Sequence, residues 1–411
     1  MPEVRRRLLL LVLVCGGIVY GTLYPFAFRP EGTLIEALRH GAWAARRGGR
    51  GDIFANLLLF LPFGLAATAA LPGRWTSGLR ILAAGLAGML LSAAVELAQF
   101  WIPQRSSSLW DVGFNTMGAL AGAALAAFAG MWRGRSLTAH GTPRIVEPLA
   151  GLLALAWLGY RFYPYVPAID LQAWKDNLKP LLLAGGAPDP LRLLRLAVSW
   201  TAAALLAEAA MSWRTAAWAV PFGLAGAVVV EIVVPGKHLT PEEALAIGLA
   251  IPAWLLLRRA GRHWSGVAMV ALLLVAVGIE RLEPFRFLPE ARRFGWVPFN
   301  SLISGSWDAG LQAMLQKLFL YGALLWSLRR ARLSLPLATG AAALSVLALS
   351  LIQTRLPGRS AESTDALLVL GLGFVFHLMP ARQPADGASM RMASEAAPPA
   401  YTRSRNAPTP F

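Results

Sequence analysis

The sequence predicts an all-α fold: a polytopic transmembrane bundle of about twelve helices, arranged as three degenerate four-helix repeats. Three observations carry this. Hydrophobic residues make up 56% of the 411 residues and charged residues only 15%, too few charges to cover a water-facing surface of that size. The apolar residues fall in runs close to the 17–25 residues that span a bilayer. The runs recur in sets of four with one rhythm: one span, a long connection, then three spans joined by short connections.

The spans are expected at 8–26, 53–71, 80–102 and 110–132, then at 146–162, 193–211, 215–234 and 242–257, and finally at 264–280, 312–328, 334–354 and 364–379. Repeat units follow at 1–136, 145–260 and 264–380. The tail, 381–411, is rich in Pro, Ala, Ser and Arg and lacks apolar periodicity, which predicts a disordered cytoplasmic segment. At the N-terminus Arg5, Arg6 and Arg7 precede the first run, as in a signal peptide. That run is longer than an ordinary signal core, and Tyr24-Pro25-Phe26 follows it in place of a small-residue cleavage site. It reads as a retained helix.

The repeat is legible in particular residues. Pro25-Phe26-Ala27-Phe28 returns as Pro284-Phe285-Arg286-Phe287. Gln99, Pro103, Arg105, Ser106 and Asp111 return at identical spacing as Gln353, Pro357, Arg359, Ser360 and Asp365. The middle set carries a weaker echo in Glu231, Pro235, Lys237 and Glu243.

Charge and composition narrow the function. The net charge of +16 does not imply nucleic-acid binding, because the cations sit singly or in short groups between apolar runs, where they set topology. Nucleic acid is therefore not an expected partner. Cys15 is the sole cysteine, and His40, His140, His238, His263 and His377 are scattered without metal-ligand spacing. No metal and no cofactor is implied. The preference for Arg over Lys and the Ala- and Gly-rich composition fit a bacterial chain. Short connections on one side hold Arg74, Arg80, Arg133, Arg135, Arg144, Arg214, Arg258, Arg259, Arg262, Arg329, Arg330 and Arg332, against Arg105, Lys237, Arg355 and Arg359 on the other. The positive-inside rule then predicts a multi-pass protein of the bacterial cytoplasmic membrane with both termini cytoplasmic.

Ionisable residues at membrane depth are costly and usually have a partner or a function. In the first set, Asp52 and Asn56 open the second span on one helix face, Glu96 and Gln99 close the third, and Arg105 lies in the following turn. Asp111 and Asn115 open the fourth. Alternating topology brings these seven side chains to one end of the bundle. Gly118 and Gly122 follow with the spacing that lets helices approach closely. Two readings stand side by side: a binding site, or a buried polar network that holds helices together. Asp52, Asn56, Glu96 and Asn115 have no acidic or amide counterpart in the third set, which suits a site. The cation–acid pairs Arg105/Asp111, Lys237/Glu243 and Arg359/Asp365 occur in all three sets, which suits a clamp on the turn, with the acid at a helix N-terminus.

Pro25-Phe26-x-Phe28, Asp52-x3-Asn56-x3-Phe60-x-Pro62-x-Gly64 and Glu96-x2-Gln99-x3-Pro103-x-Arg105-x5-Asp111-x3-Asn115-x2-Gly118 together resemble the VanZ-like family. The resemblance is strong over about 20–130, partial over 264–380 and marginal over 145–258. The family takes its name from a membrane protein linked to low-level teicoplanin resistance, and its biochemical activity is unsettled.

Reaction motifs are missing: the sequence has no P-loop, GxSxG or HExxH. Glu96 has the makings of a general base, but no nucleophile or orienting group is legible beside it. Ser106, Ser107 and Ser108 read as caps of the fourth helix. The expected function is binding of an envelope lipid, cell-wall precursor or lipoglycopeptide at a polar pocket near the outer leaflet, with membrane lipids as partners. A transporter of an envelope lipid or small amphiphile is the alternative, since Pro62 with Gly64 and Pro221 with Gly223 are capable of breaking helices. An envelope-lipid-modifying enzyme using Glu96 or Asp111 is the third reading.

Overall fold

A computed structural model of the chain describes residues 3–29, 31–33, 35–36, 50–103, 107–136, 147–165, 167–183, 185–304 and 306–379. The fold is all-helical. The first set consists of α1 (Glu3–Leu23), α2 (Arg50–Ala70), α3 (Ser77–Gln99) and α4 (Leu109–Ser136). The middle set is α5 (Pro148–Phe162), α6 (Leu171–Leu182), α7 (Pro190–Ala210), α8 (Trp213–Val233) and α9 (Pro241–Arg259). The third is α10 (Gly261–Leu282), α11 (Asn300–Ser304), α12 (Trp307–Arg330), α13 (Leu335–Ile352) and α14 (Thr364–Leu378).

Each of the twelve expected spans coincides with a helix, and α6 and α11 are short additions within the long connections. Among the described residues six helices are long and apolar enough to cross a membrane by themselves: α1, α3, α7, α8, α10 and the run 335–355. The protein is a membrane protein. The expected tail at 381–411 lies outside the described residues.

Local chemistry sets the helix starts. Thr76, Asp189, Ser212, Thr240 and Ser306 each accept a backbone N–H of the first turn through the side-chain oxygen, which satisfies donors a helix start leaves open. The expectation of broken helices is corrected. Pro62 lies inside α2 and Pro221 inside α8, and both helices run through. In α2 the neighbouring α4 packs on the backbone close by, at Gly64, and membrane helices in general tolerate proline.

In the first set, α2 and α4 touch backbone to backbone. A Cβ on Gly64 would overlap the Ala119 carbonyl, and one on Gly118 or Gly122 would overlap the carbonyls of Leu57 or Leu61. The small core here joins Ile18, Phe60, Phe63, Ala67, Ala84, Ala119 and Ala123. The middle and third sets share one larger core. Its axis is the buried stretch of α7 from Val198 to Leu206 and that of α12 from Phe319 to Leu325. Trp157 of α5 lies between them, 5.5 Å from Trp200 and 4.7 Å from Phe319 between ring centroids.

One turn geometry ends α1, α5 and α10. Phe26, Tyr165 and Phe285, each just after a proline, have φ of 60°, 66° and 59°. Each donates its N–H to the residue three back (Leu23, Phe162, Leu282) at 2.8 Å. Contacts between sets bring these three turns to one face of the molecule. Tyr20 and Tyr24 donate to Pro298 and Asn300 at 2.7 Å, and Arg195 of α7 pairs with Glu280 at the end of α10.

α6 differs in character from the spans. It has twelve residues, Asp170 caps it, and its Leu171 and Leu182 are exposed together with the flanking Ile169 and Leu183. Asn177, on its other face, is buried and donates to the Ile232 and Val234 carbonyls at 2.9 and 2.8 Å. An amphipathic helix of this kind belongs in the membrane interface.

Candidate functional site

The polar side chains collect where α1, α5 and α10 end, and three contacts recur there with variations. At the third-helix end stand Gln99, Glu231 and Gln353. At the fourth-helix start stand Asp111, Glu243 and Asp365. Three residues before the turn proline stand Thr22, Arg161 and Arg281.

In the first set, Gln99 donates its Nε2 to the Thr22 carbonyl at 3.0 Å. Glu96 is buried and accepts the Ser108 N–H at 2.8 Å. Asn115, also buried, donates to Ser92 at 2.8 Å. Asp111 lies in the first turn of α4, and Asn56 is half-buried in α2. The side chain of Asp52 and the whole of Arg105 lie outside the described residues. Thus Glu96, Gln99 and Asn115 each sit in a bond that links helices or holds a turn.

The third set repeats the amide contact and adds charge. Gln353 donates Nε2 to the Arg281 carbonyl at 2.8 Å while its Oε1 accepts from the Arg281 guanidinium at 2.7 Å. Asp365 is buried and pairs with Arg281 and, at 2.8 Å, with Lys317 from α12. In the middle set one nitrogen of Arg161 lies 2.8 Å from both Glu231 and Glu243. Glu243 also accepts the Trp200 indole N–H at 2.7 Å.

The clamp expected from sequence is corrected here. Glu243 pairs with Arg161 and Asp365 with Arg281, each at the end of the set's first helix, and Asp365 adds Lys317 of α12; neither takes a cation from the turn. Arg359 instead donates to the Glu283 carbonyl at 2.9 Å, and Lys237 faces a cavity. A carboxylate buried among helices gains most from a cation that is itself held in the bundle. Sequence reasoning passed over Arg161 and Arg281. The signal was present: an arginine three residues before the proline in Arg161-x2-Pro164 and Arg281-x2-Pro284, at membrane depth, opposite acids 70 and 84 residues on.

A cavity of about 490 Å³ opens beside the middle cluster, lined among others by Arg161, Arg192, Glu231, Lys237, His238 and, from α6, Lys179. Lys179 pairs with Asp176. Among the described residues neither Lys237 nor Arg192 forms a salt bridge of its own. Burial, reinforced by the neighbouring Arg161 charge, holds the Lys237 amine below the usual lysine range. A second cavity, of about 390 Å³, adjoins the first at Arg161 and Arg192 and reaches Glu243, Glu280 and Glu283.

Fold and polar ends define a polytopic helical membrane protein whose ionisable residues gather at one face. Residues 11–130, nearly the whole first set, match the VanZ/LLP1 family. Over that segment the chain is similar to the VanZ-like family. No curated protein and no solved structure matches it.

Proposed function

We propose that this protein binds the anionic headgroup of an envelope amphiphile (a lipid, a lipid-linked cell-wall precursor or a lipoglycopeptide) in a recess at the outer-leaflet end of the bundle. The observation that carries this is the pair of cations without salt bridges, Lys237 and Arg192, in a cavity of about 490 Å³. A half-buried ammonium without a carboxylate partner is a ready site for an anion. The amphipathic α6 contributes Lys179 to the same cavity and carries exposed leucines, which supports a ligand whose apolar part stays in the bilayer. In this reading the chain is three degenerate repeats, 1–136, 145–260 and 264–380, in the bacterial cytoplasmic membrane with both termini inside. Asp52, Asn56, Glu96, Gln99, Arg105, Asp111 and Asn115 form the related polar end of the first repeat. The family's link to glycopeptide resistance makes a lipoglycopeptide one of the ligands to test.

Native mass spectrometry of the purified protein with phosphatidylglycerol, compared with phosphatidylcholine, tests the reading. Wild type should retain the anionic lipid preferentially. Arg192→Ala and Lys237→Ala should each weaken retention about tenfold, or about 1.4 kcal/mol. Affinity should also fall as pH rises toward the depressed range of Lys237, because the amine then loses its charge. Equal retention of both lipids by wild type and variants contradicts the proposal.

Transport is the second reading, favoured by the second cavity meeting the first at Arg161 and Arg192. Headgroup flux in proteoliposomes, lost in Arg192→Ala, distinguishes it from binding alone.

A further inference from the structure

Glu231 and Glu243 are both almost fully buried, at 1% and 2% exposure, and both reach the same nitrogen of one arginine. Two carboxylates share one guanidinium, and the other nearby cation, Lys237, acts on them only from beyond salt-bridge range; a helical bundle in a membrane does not hold so weakly paired a negative charge cheaply. Lys237 and Arg192 on the cavity side form no salt bridge with either acid, and Lys179 is engaged by Asp176. Of the other titratable neighbours, His238 lies on the exposed side of this cavity, and Tyr160, Arg195, Glu280 and Glu283 line the second cavity beside Glu243.

The other two sets show how the same position is filled without charge. Gln99 and Gln353 stand twelve residues before Asp111 and Asp365, as Glu231 stands twelve before Glu243. Gln353 accepts from the arginine with its oxygen and donates to that arginine's carbonyl with its nitrogen. Gln99 makes the corresponding donation to Thr22. A protonated glutamic acid is the near-isostere of this amide, with one acceptor oxygen and one donor O–H.

We propose that Glu231 is a proton-carrying carboxyl at neutral pH, accepting from Arg161 through Oε1 and donating its O–H to the Arg161 carbonyl, and that it presents this exchangeable proton to the cavity. Helix position decides which acid is neutral. Glu231 lies in the last turn of α8 and Glu243 in the first turn of α9, and the helix dipole disfavours an anion at the former and favours one at the latter. Glu243 also accepts the Trp200 indole N–H and lies in ion-pair contact with Arg161, surroundings that suit an ionised carboxylate. The inference stands whichever ligand fills the cavity.

Infrared spectroscopy of the protein in nanodiscs tests it. At pH 7 the C=O band of a protonated carboxylic acid should be present in wild type, shift in heavy water, and be missing in Glu231→Gln. It should persist in Glu243→Gln. Glu231→Gln should accumulate and melt as wild type does, since the amide reproduces the neutral acid. A wild type without the band overturns the proposal with no variant needed. So does a band that survives Glu231→Gln, one that vanishes only in Glu243→Gln, or a Glu231→Gln protein that fails to fold.

Discussion

Arg161 is the residue on which the middle set turns. Its guanidinium reaches Glu231 and Glu243 at 2.8 Å each and lies 5.9 Å over the Trp157 ring, so it ties α5, α8 and α9 together. Arg161→Ala removes the only cation in salt-bridge contact with these acids among the described residues. Breaking a buried pair in this way costs about 3–5 kcal/mol, and the melting temperature of the purified protein should fall accordingly. Arg161→Lys keeps the charge without the fork and should fall less. A melting temperature unchanged in Arg161→Ala would mean that the acids are held some other way. Most of this cluster was legible in the sequence: Glu231, Lys237 and Glu243 stood out by spacing. Arg161 did not, because within one apolar run a lone arginine reads as a headgroup-level cation, and its partners are remote in sequence. The first-set residues Glu96, Gln99 and Asn115 were legible because they lie close together along the chain.

At the scale of elements, apolar run length was the reliable signal. All twelve spans appear as helices, most bounded by the caps and arginines that the sequence places around them. The elements that sequence reasoning passed over, α6 and α11, lie in the long connections. A twelve-residue amphipathic helix such as α6 offers neither the length nor the continuous apolarity of a span, so only its docking by Asn177 reveals its place. A close helix approach was foreseen from the Gly118–Gly122 spacing, though not that α2 is the helix that meets α4 there. It yields a sharp prediction, because the space beside each glycine is filled by backbone. Gly118→Leu or Gly122→Leu should separate the helices and lower stability by about 3 kcal/mol, the upper end of ordinary overpacking costs. Gly113→Leu, on open ground in the same helix, should change little. The comparison is read from the melting temperatures of the three variants, and equal behaviour would show that α2 and α4 do not pack as described.

Across the whole molecule, the two ends differ in charge chemistry. At one end Arg262 pairs with Glu147 and Arg258 with Glu208, while Arg330 lies 4.5 Å over the Trp326 ring. These belong to the short, arginine-rich connections that the positive-inside rule assigns to the cytoplasm. At the opposite end lie the three turns, the buried acid–arginine clusters and the middle cavity. The overall ordering of spans was legible because it follows from hydropathy. The shared core of the middle and third sets was not, since sequence similarity between sets says nothing of how they dock. In the proposed function the cavity beside Arg161 opens to the outside and accepts an anionic headgroup. This is tested most directly by labelling His238→Cys in a Cys15→Ala background with an impermeant thiol reagent in intact cells. The account predicts labelling from outside, slowed when an anionic amphiphile such as phosphatidylglycerol is added to the purified protein. Labelling that requires permeabilised cells, or a rate indifferent to the amphiphile, would contradict it.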